Sequence, residues 1–267
     1  MFLKSPIRLG IVWFAGAATT IVGNEMSMAP THGPSAPKTY AVTHGGVLRV
    51  GERLTFDAHI DRLSVGSATL NVAGVETLRG HTVYHTVFDA RARLLWYHAR
   101  NHTESWFDTT TLNSLRLSKV VAAGAEDDTA AYEFYGDSGV YTYIRNGESK
   151  PSVADPVDEG SLLYYVRTLA LAPGDIYTIN RFYRRDKNPI VIKVLRRERV
   201  NVPAGAFDAI VVSVAVKSDG LLSEKSGAEL WLSDDSSRLL LRLRSHVRVG
   251  TLQLDLKRSD EASGRER

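Results

Sequence analysis

Residues 190–216 read IVIKVLRRERVNVPAGAFDAIVVSVAV, and their pattern decides the fold class. Two runs rich in β-branched residues, Ile190–Val202 and 207–216, flank Pro203-Ala204-Gly205. Proline suits the first central position of a turn, and glycine tolerates the left-handed conformation that follows, so the stretch predicts a β-hairpin. The same period of two recurs upstream. In Arg53–Ile60, Leu54, Phe56, Ala58 and Ile60 alternate with Arg53, Thr55, Asp57 and His59. Residues 68–72 and 82–88 are further short β-branched or aromatic runs, and clusters of Gly, Asn and Asp separate them. Strands at this spacing without intervening helices predict an all-β, mainly antiparallel protein with a barrel-like or open-barrel sheet.

One segment breaks the rhythm and predicts a short amphipathic helix. Leu162, Leu163, Val166, Leu169 and Ala170 recur at i, i+1, i+4, i+7 and i+8. Asp155 is placed to cap it, Pro156 to occupy its first position, and Pro173-Gly174 to end it. Its second face carries Tyr165, Arg167 and Thr168.

The ends of the chain read differently. Lys4 and Arg8 precede an apolar run over 9–22, the pattern of a secretory signal. An uncleaved anchor is the alternative, but the run is short for the ~20 residues of a span. Signal removal is expected within residues 1–29, after Ala15-Gly16-Ala17 or after Ser27-Met28-Ala29. Residues 30–46, rich in proline and small polar residues, read as a linker, 47–257 as one β-rich domain, and 258–267 as a charged tail. The expected location is periplasmic or otherwise exported, with no transmembrane span in the mature chain. The 267 residues contain no cysteine, which excludes disulfides, thiolate metal sites and a lipoprotein anchor cysteine. A net charge of +3 is too small and too scattered for a nucleic-acid partner.

Several pieces, in order, resemble one family. They are Gly51-Glu52-Arg53-Leu54, Gly66-Ser67-Ala68-Thr69-Leu70, Ser105-Trp106-Phe107-Asp108 and Leu163-Tyr164-Tyr165-Val166-Arg167-Thr168-Leu169. Pro173-Gly174-Asp175, Val202-Pro203-Ala204-Gly205-Ala206-Phe207-Asp208 and Trp231-Leu232-Ser233-Asp234-Asp235 complete the set. Together they resemble the bacterial exported family of domain of unknown function 3108, over about residues 48–256. Asn113-Ser114 departs from it, standing where a proline is common. The resemblance implies an envelope-located, barrel-like antiparallel fold with a short helix, and it implies no activity.

Candidate chemistry is sparse. His81/His85 and His98/His102 are spaced i,i+4, but on a strand that separates the rings by ~13 Å, too far to share one metal. Asp234-Asp235 reads as a turn and Asp155, Asp158 and Glu159 as a helix start, although either group could supply paired carboxylates. Neither a nucleophile elbow, a zinc helix nor a phosphate loop is present, and no cofactor or metal is expected.

The sharpest feature is a basic stripe over 238–249, where Arg238, Arg242, Arg244, His246 and Arg248 alternate with a largely apolar face. Arginine forks suit the phosphate or carboxylate of an envelope lipid or glycan. The plainer reading is a solvated sheet face balanced by its neighbours, with Glu229 the expected partner. Trp96 and Trp106, among many aromatics in the central third, either fill a core or meet a ligand, and Tyr165 and Arg167 could join them. Three readings follow: a non-enzymatic binder of a lipid-like or other amphipathic anionic ligand, an assembly factor for another envelope protein, and an envelope glycan hydrolase. A continuous cavity, an exposed sheet edge or two facing carboxylates would tell them apart.

Overall fold

The computed structural model describes residues 47–260 apart from 95–96, 124–125 and 219, so the expected signal, the linker and most of the tail lie outside the described residues, as does Trp96. The strands are β1 (Arg53–Ile60), β2 (Leu63–Leu78), β3 (His81–Leu94), β4 (Tyr97–Asp108), β5 (Ser114–Ala123), β6 (Glu126–Tyr135), β7 (Val140–Tyr143) and β8 (Ser149–Pro151). After the helix α1 (Glu159–Arg167) come β9 (Ile176–Ile179), β10 (Ile190–Val202), β11 (Gly205–Ala215), β12 (Glu229–Ser233), β13 (Leu240–Val247) and β14 (Gly250–Asp260). All join one antiparallel sheet in the order β8-β7-β6-β5-β4-β3-β2-β1-β14-β13-β12-β11-β10-β9.

This order explains the barrel-like shape. Sequence neighbours pair as hairpins everywhere except at β1–β14, where the first strand joins the last. The edge strands β8 and β9 are linked through α1, so the sheet must curl for the chain to reach from one edge to the other. The edges do not pair. Instead Val157 bridges Phe182 in parallel, with Val157 N donating to Arg181 O at 2.7 Å and Tyr183 N to Val157 O at 3.1 Å.

The alternation expected in β1 places Leu54, Phe56, Ala58 and Ile60 inside, each at most 3% exposed. The predicted hairpin is β10–β11, with Val202 opposite Gly205 across a two-residue turn. Its tip curls back over the outer face, where Ala204 N donates to Leu256 O at 2.9 Å. The sheet also extends past the expected domain end: β14 runs to Asp260, opposite Arg53. Backbone pairing with β1 holds these residues whatever their side chains.

α1 lies across one end of the barrel and starts later than its sequence suggests. Asp158, not Asp155, is the N-cap: its side chain accepts from Gly160 N at 2.6 Å and Ser161 N at 2.9 Å. Pro156 and Val157 cannot start the helix because they serve the β5 wall and the Phe182 bridge; Pro156 O accepts from Ser114 N at 2.7 Å. Both faces of the helix are covered, so Tyr165, Arg167 and Thr168 are all buried instead of facing outward. The far end of the barrel is covered by residues 220–228, where Leu221 O accepts from Ser245 Oγ at 2.8 Å.

Candidate functional site

Between these two covers the barrel holds an apolar chamber. Strand residues Phe56, Leu70 and Phe88 line it from one wall and Leu230, Leu243 and Leu254 from the other. Leu163 of α1 and Leu222 of the 220–228 segment border it from the two ends. Its volume is about 60 Å³. Such packing follows from the period of two, which sends one face of each strand inward.

The chamber has one polar end. Leu70, Phe88, Thr103 and Lys119 are successive partners across β2, β3, β4 and β5, so a single inward row passes from leucine to lysine. β4 turns Asn101, Thr103 and Ser105 into the interior, each at most 6% exposed. Thr103 borders the chamber, and its hydroxyl donates to Asn101 Oδ1 at 2.7 Å, which leaves the buried Asn101 Nδ2 without a partner. Glu159, in the first turn of α1, also borders the chamber. Its Oε1 takes Lys119 Nζ at 3.5 Å and the Tyr183 hydroxyl at 3.4 Å, whereas its buried Oε2 has no partner. Beyond Lys119 lies a polar groove of about 290 Å³ between the inner faces of β5–β7 and residues 145–150. The Lys119–Glu159 pair therefore stands between a polar space and an apolar one.

Asp158 fixes this arrangement. It is fully buried, and burial pushes its carboxyl up to about 6 against the pull of bonds from Ser105 and Ser161. Ser105 Oγ donates to it at 2.7 Å, while its own N–H meets Ser114 Oγ at 3.0 Å and Ser161 Oγ at 2.9 Å. Gly160 allows the close approach, since a Cβ there would come within 2.7 Å of Ser105 Cβ. Every one of these groups is satisfied, so the cluster seats the helix on β4 and β5 and leaves Glu159 to face the chamber.

The sequence-predicted residues are scattered. Arg167 is 1% exposed and donates twice to Glu52, at 2.7 and 2.8 Å, and to the carbonyls of Val47 and Ser237. Tyr165 is buried under Arg181. Arg167 thereby holds α1 to the chain before β1 and to the β12–β13 turn, and both side chains are spent on internal contacts. Trp106 is on the outer face, stacked on His85 at 4.3 Å.

The basic stripe is broken by a bulge. Trp231 faces Arg242 but Leu232 faces Leu240, so Leu240 and Leu241 are both buried and Arg238 falls in the turn before the strand, bonded to Asp234 at 3.3 Å. Arg244 pairs with Glu229 at 3.0 Å, as expected, and Arg242 pairs with Asp255 at 2.5 Å while bonding Asn201 O in the curled hairpin tip. Both lie over the ring of the buried Trp231, whose Nε1 donates to Glu198 at 2.6 Å. His246 bonds Thr251, and Arg248 is exposed in the β13–β14 turn.

The histidine pairs chelate nothing together. His81 bonds Asp108, His85 lies between Glu76 and Glu104, and His102 lies between Asp89 and Glu104. Among the described residues no group of His, Asp and Glu is placed to hold a metal. Asp234 is paired with Arg197 and Arg238, and Asp235 caps its own turn by accepting from Ser237 N and Arg238 N. No helix among the described residues is long and apolar enough to cross a membrane.

Residues 55–257 match the family described as Protein of unknown function (DUF3108). The chain belongs to that family. No curated protein matches this DUF3108 chain. Among solved structures, it is similar to a beta-barrel-like protein of domain of unknown function DUF1849 from Brucella abortus. That likeness has a TM-score of 0.51 at 11% identity and covers 81% of this chain and 100% of the other. A Bacteroides fragilis protein, described as a candidate exported protein with a YmcC-like fold, aligns at TM-score 0.31 and 14% identity over 80% of this chain and 97% of its own. The first likeness shows a shared fold and assigns no activity.

Proposed function

We propose that this DUF3108 domain is an exported, non-enzymatic binding protein for a small amphipathic ligand, whose apolar part enters the chamber beneath α1. The observation that carries the reading is the chamber itself: a leucine-lined space bordered by α1 at one end and by Leu221 and Leu222 at the other, with Thr103 and Glu159 its polar lining side chains. Fully developed small-molecule sites run to ~300–1,000 Å³, so about 60 Å³ suits a short chain or the tip of a longer one. Export is supported by Lys4, Arg8 and the apolar run that follows them.

The arginine stripe is not the site in this reading. Its two central arginines are matched by Glu229 and Asp255, so an anion would have to displace ion pairs already made. The assembly reading has less support, because the free edges β8 and β9 are three and four residues long and the 152–157 and 181–183 segments already bridge the gap between them. Glycan hydrolysis loses its carboxylates to the Asp158 cap and to the Asp234-Asp235 turn.

Native mass spectrometry of the protein purified from a bacterial envelope, followed by solvent extraction, tests the reading. A stoichiometric amphiphile is expected, lost in Leu222→Trp, which fills the chamber, and kept in Arg244→Glu. Protein that carries nothing, or that loses its ligand only in Arg244→Glu, contradicts it.

A further inference from the structure

The outer face of the β3–β4 hairpin carries a charged patch that the chamber does not use. Arg91 faces Arg100 and Arg93 faces His98 on two successive rungs of the ladder, and all four side chains are exposed. Period two explains the placement: their neighbours Ala90 and Ala99 belong to the core, so the basic residues point outward. Two like charges directly opposite one another, ~5 Å apart at Cβ, destabilise a sheet. The arrangement therefore calls for negative charge.

The fold does not supply it. Among the described residues Arg91, Arg93 and Arg100 make no ion pair. The row through the arginine pair reads Asp57, Ser67, Arg91, Arg100, Ala122 and Asp127 from β1 to β6. Both aspartates lie two strands from the nearer arginine, ~10 Å at the ~4.8 Å spacing of strands, and Asp57 is taken by Lys257 at 3.1 Å. On the adjoining rung of β3 and β4, Asp89 and His102 are bonded to each other at 2.8 Å. With small Ser67 and Ala122 on the flanks, the basic side chains line an open groove of about 410 Å³.

The spread of the patch favours an extended anionic surface over one small anion, since the two rungs stand ~7 Å apart along the strands and none of the four groups is enclosed. The surroundings are apolar where they are not basic. In the β1–β2 turn, at the same end of the barrel, the exposed Arg62 precedes Leu63, which is 59% exposed. In sequence, Arg93 and His98 enclose Leu94-Leu95-Trp96-Tyr97, the aliphatic and aromatic composition favoured where a bilayer meets water. We propose that this end of the barrel docks on an anionic membrane surface, with Arg91, Arg93 and Arg100 meeting the lipid headgroups. The patch lies on the outer face, so this proposal and the ligand reading stand or fall separately.

The test is co-sedimentation of the protein purified from a bacterial envelope with vesicles of phosphatidylcholine alone, or with about 30% phosphatidylglycerol. Binding to the anionic vesicles is expected to be at least 10-fold tighter, and the preference is expected to vanish in 0.5 M NaCl. Each arginine near an anionic leaflet is worth roughly 5-fold, so Arg91→Gln/Arg93→Gln/Arg100→Gln should lose about 100-fold. Its Tm should be unchanged or raised, because like charges have been removed. Arg244→Gln, whose arginine is matched by Glu229, should keep the preference. Equal binding to the two vesicles, or a preference that the triple variant keeps, overturns the proposal. So does a triple variant whose Tm falls by more than about 5 °C, which assigns the arginines to the fold. Displacement by 10 mM inorganic phosphate, but not by chloride of equal ionic strength, overturns it in favour of a discrete phosphate site.

Discussion

Substituting Glu52→Gln should be among the most damaging single changes in the protein. The Arg167 side chain is 0% exposed and that of Glu52 is 4% exposed, and they share two bonds of 2.7 and 2.8 Å. Glutamine keeps one acceptor oxygen but brings an NH₂ to face the guanidinium and removes the compensating charge. The buried cation then keeps one amide oxygen and the Val47 and Ser237 carbonyls, with no countercharge beside it. Breaking a buried pair by removing one partner costs about 3–5 kcal/mol, a large part of the 5–15 kcal/mol that holds a typical domain together. At about 2–4 °C per kcal/mol for a domain of this size, Tm should fall by roughly 6–20 °C. Urea and thermal unfolding followed by circular dichroism measure it. The double variant Glu52→Leu/Arg167→Met should recover most of the loss, since an apolar pair needs no desolvation of charge. A loss below about 1 kcal/mol for Glu52→Gln, or a double variant worse than the single, would refute the reasoning.

The other expectations are narrower. The Asp158 carboxyl is raised from an ordinary 3.8 to about 6 in the folded state, so between those values the native protein binds more protons than the unfolded chain. Stability relative to Asp158→Asn should therefore fall by up to about 3 kcal/mol as pH rises from 4 to 6.5 and stay level above it; a urea-midpoint difference that ignores pH would contradict this. His102 has the same slope for another reason: burial lowers its pKa, but bonds to Asp89 and Glu104 outweigh that and raise it, so its contribution is full below pH 6.5 and is lost as pH climbs through the raised value. Replacing His102 with Gln should flatten the stability profile on the alkaline side of 6.5. Arg242→Ala should cost about 2–3 kcal/mol, because it strands the Asp255 side chain, only 10% exposed, and frees the hairpin tip, whereas Arg244→Ala should cost under ~1 kcal/mol. Gly160→Ala should destabilise by about 1–3 kcal/mol despite alanine's better helix propensity, because its Cβ would meet Ser105 Cβ at 2.7 Å; thermal unfolding measures it, and an unchanged or raised Tm would contradict it.

The strands were legible because a two-sided sheet imposes period two, and the β10–β11 hairpin because Pro203 and Gly205 carry turn geometry in their own chemistry. The Glu229–Arg244 pair was legible for a related reason: a short turn makes β12 and β13 neighbours, which fixes who faces whom. Other features depend on residues far apart in the chain. Asp155 and Asp158 are equally good caps locally; the choice between them is made by Ser105, Ser114 and the Val157–Phe182 bridge. Arg167 reads in sequence as a candidate ligand contact because its partner Glu52 is 115 residues away and nothing local announces the pair. The polar rim was hidden because β4 is polar on both faces, Asn101, Thr103 and Ser105 inward and His102, Glu104 and Trp106 outward. Hydropathy alternation carries no signal there. A small–large alternation does survive in that strand and could have marked its inner face. The stripe misled through a single bulged residue, Leu241, which moves Arg238 out of line.

The chamber is tested most directly by crystallising the protein, soaking the crystals in 1-bromobutane and locating bromine by its anomalous scattering. Bromine enclosed by Leu163, Leu222 and Leu243 is the expected result. An interior without bromine at saturating soak, with sites only on the outer face beside Trp231 or Trp106, would contradict the claim that the interior takes an apolar chain.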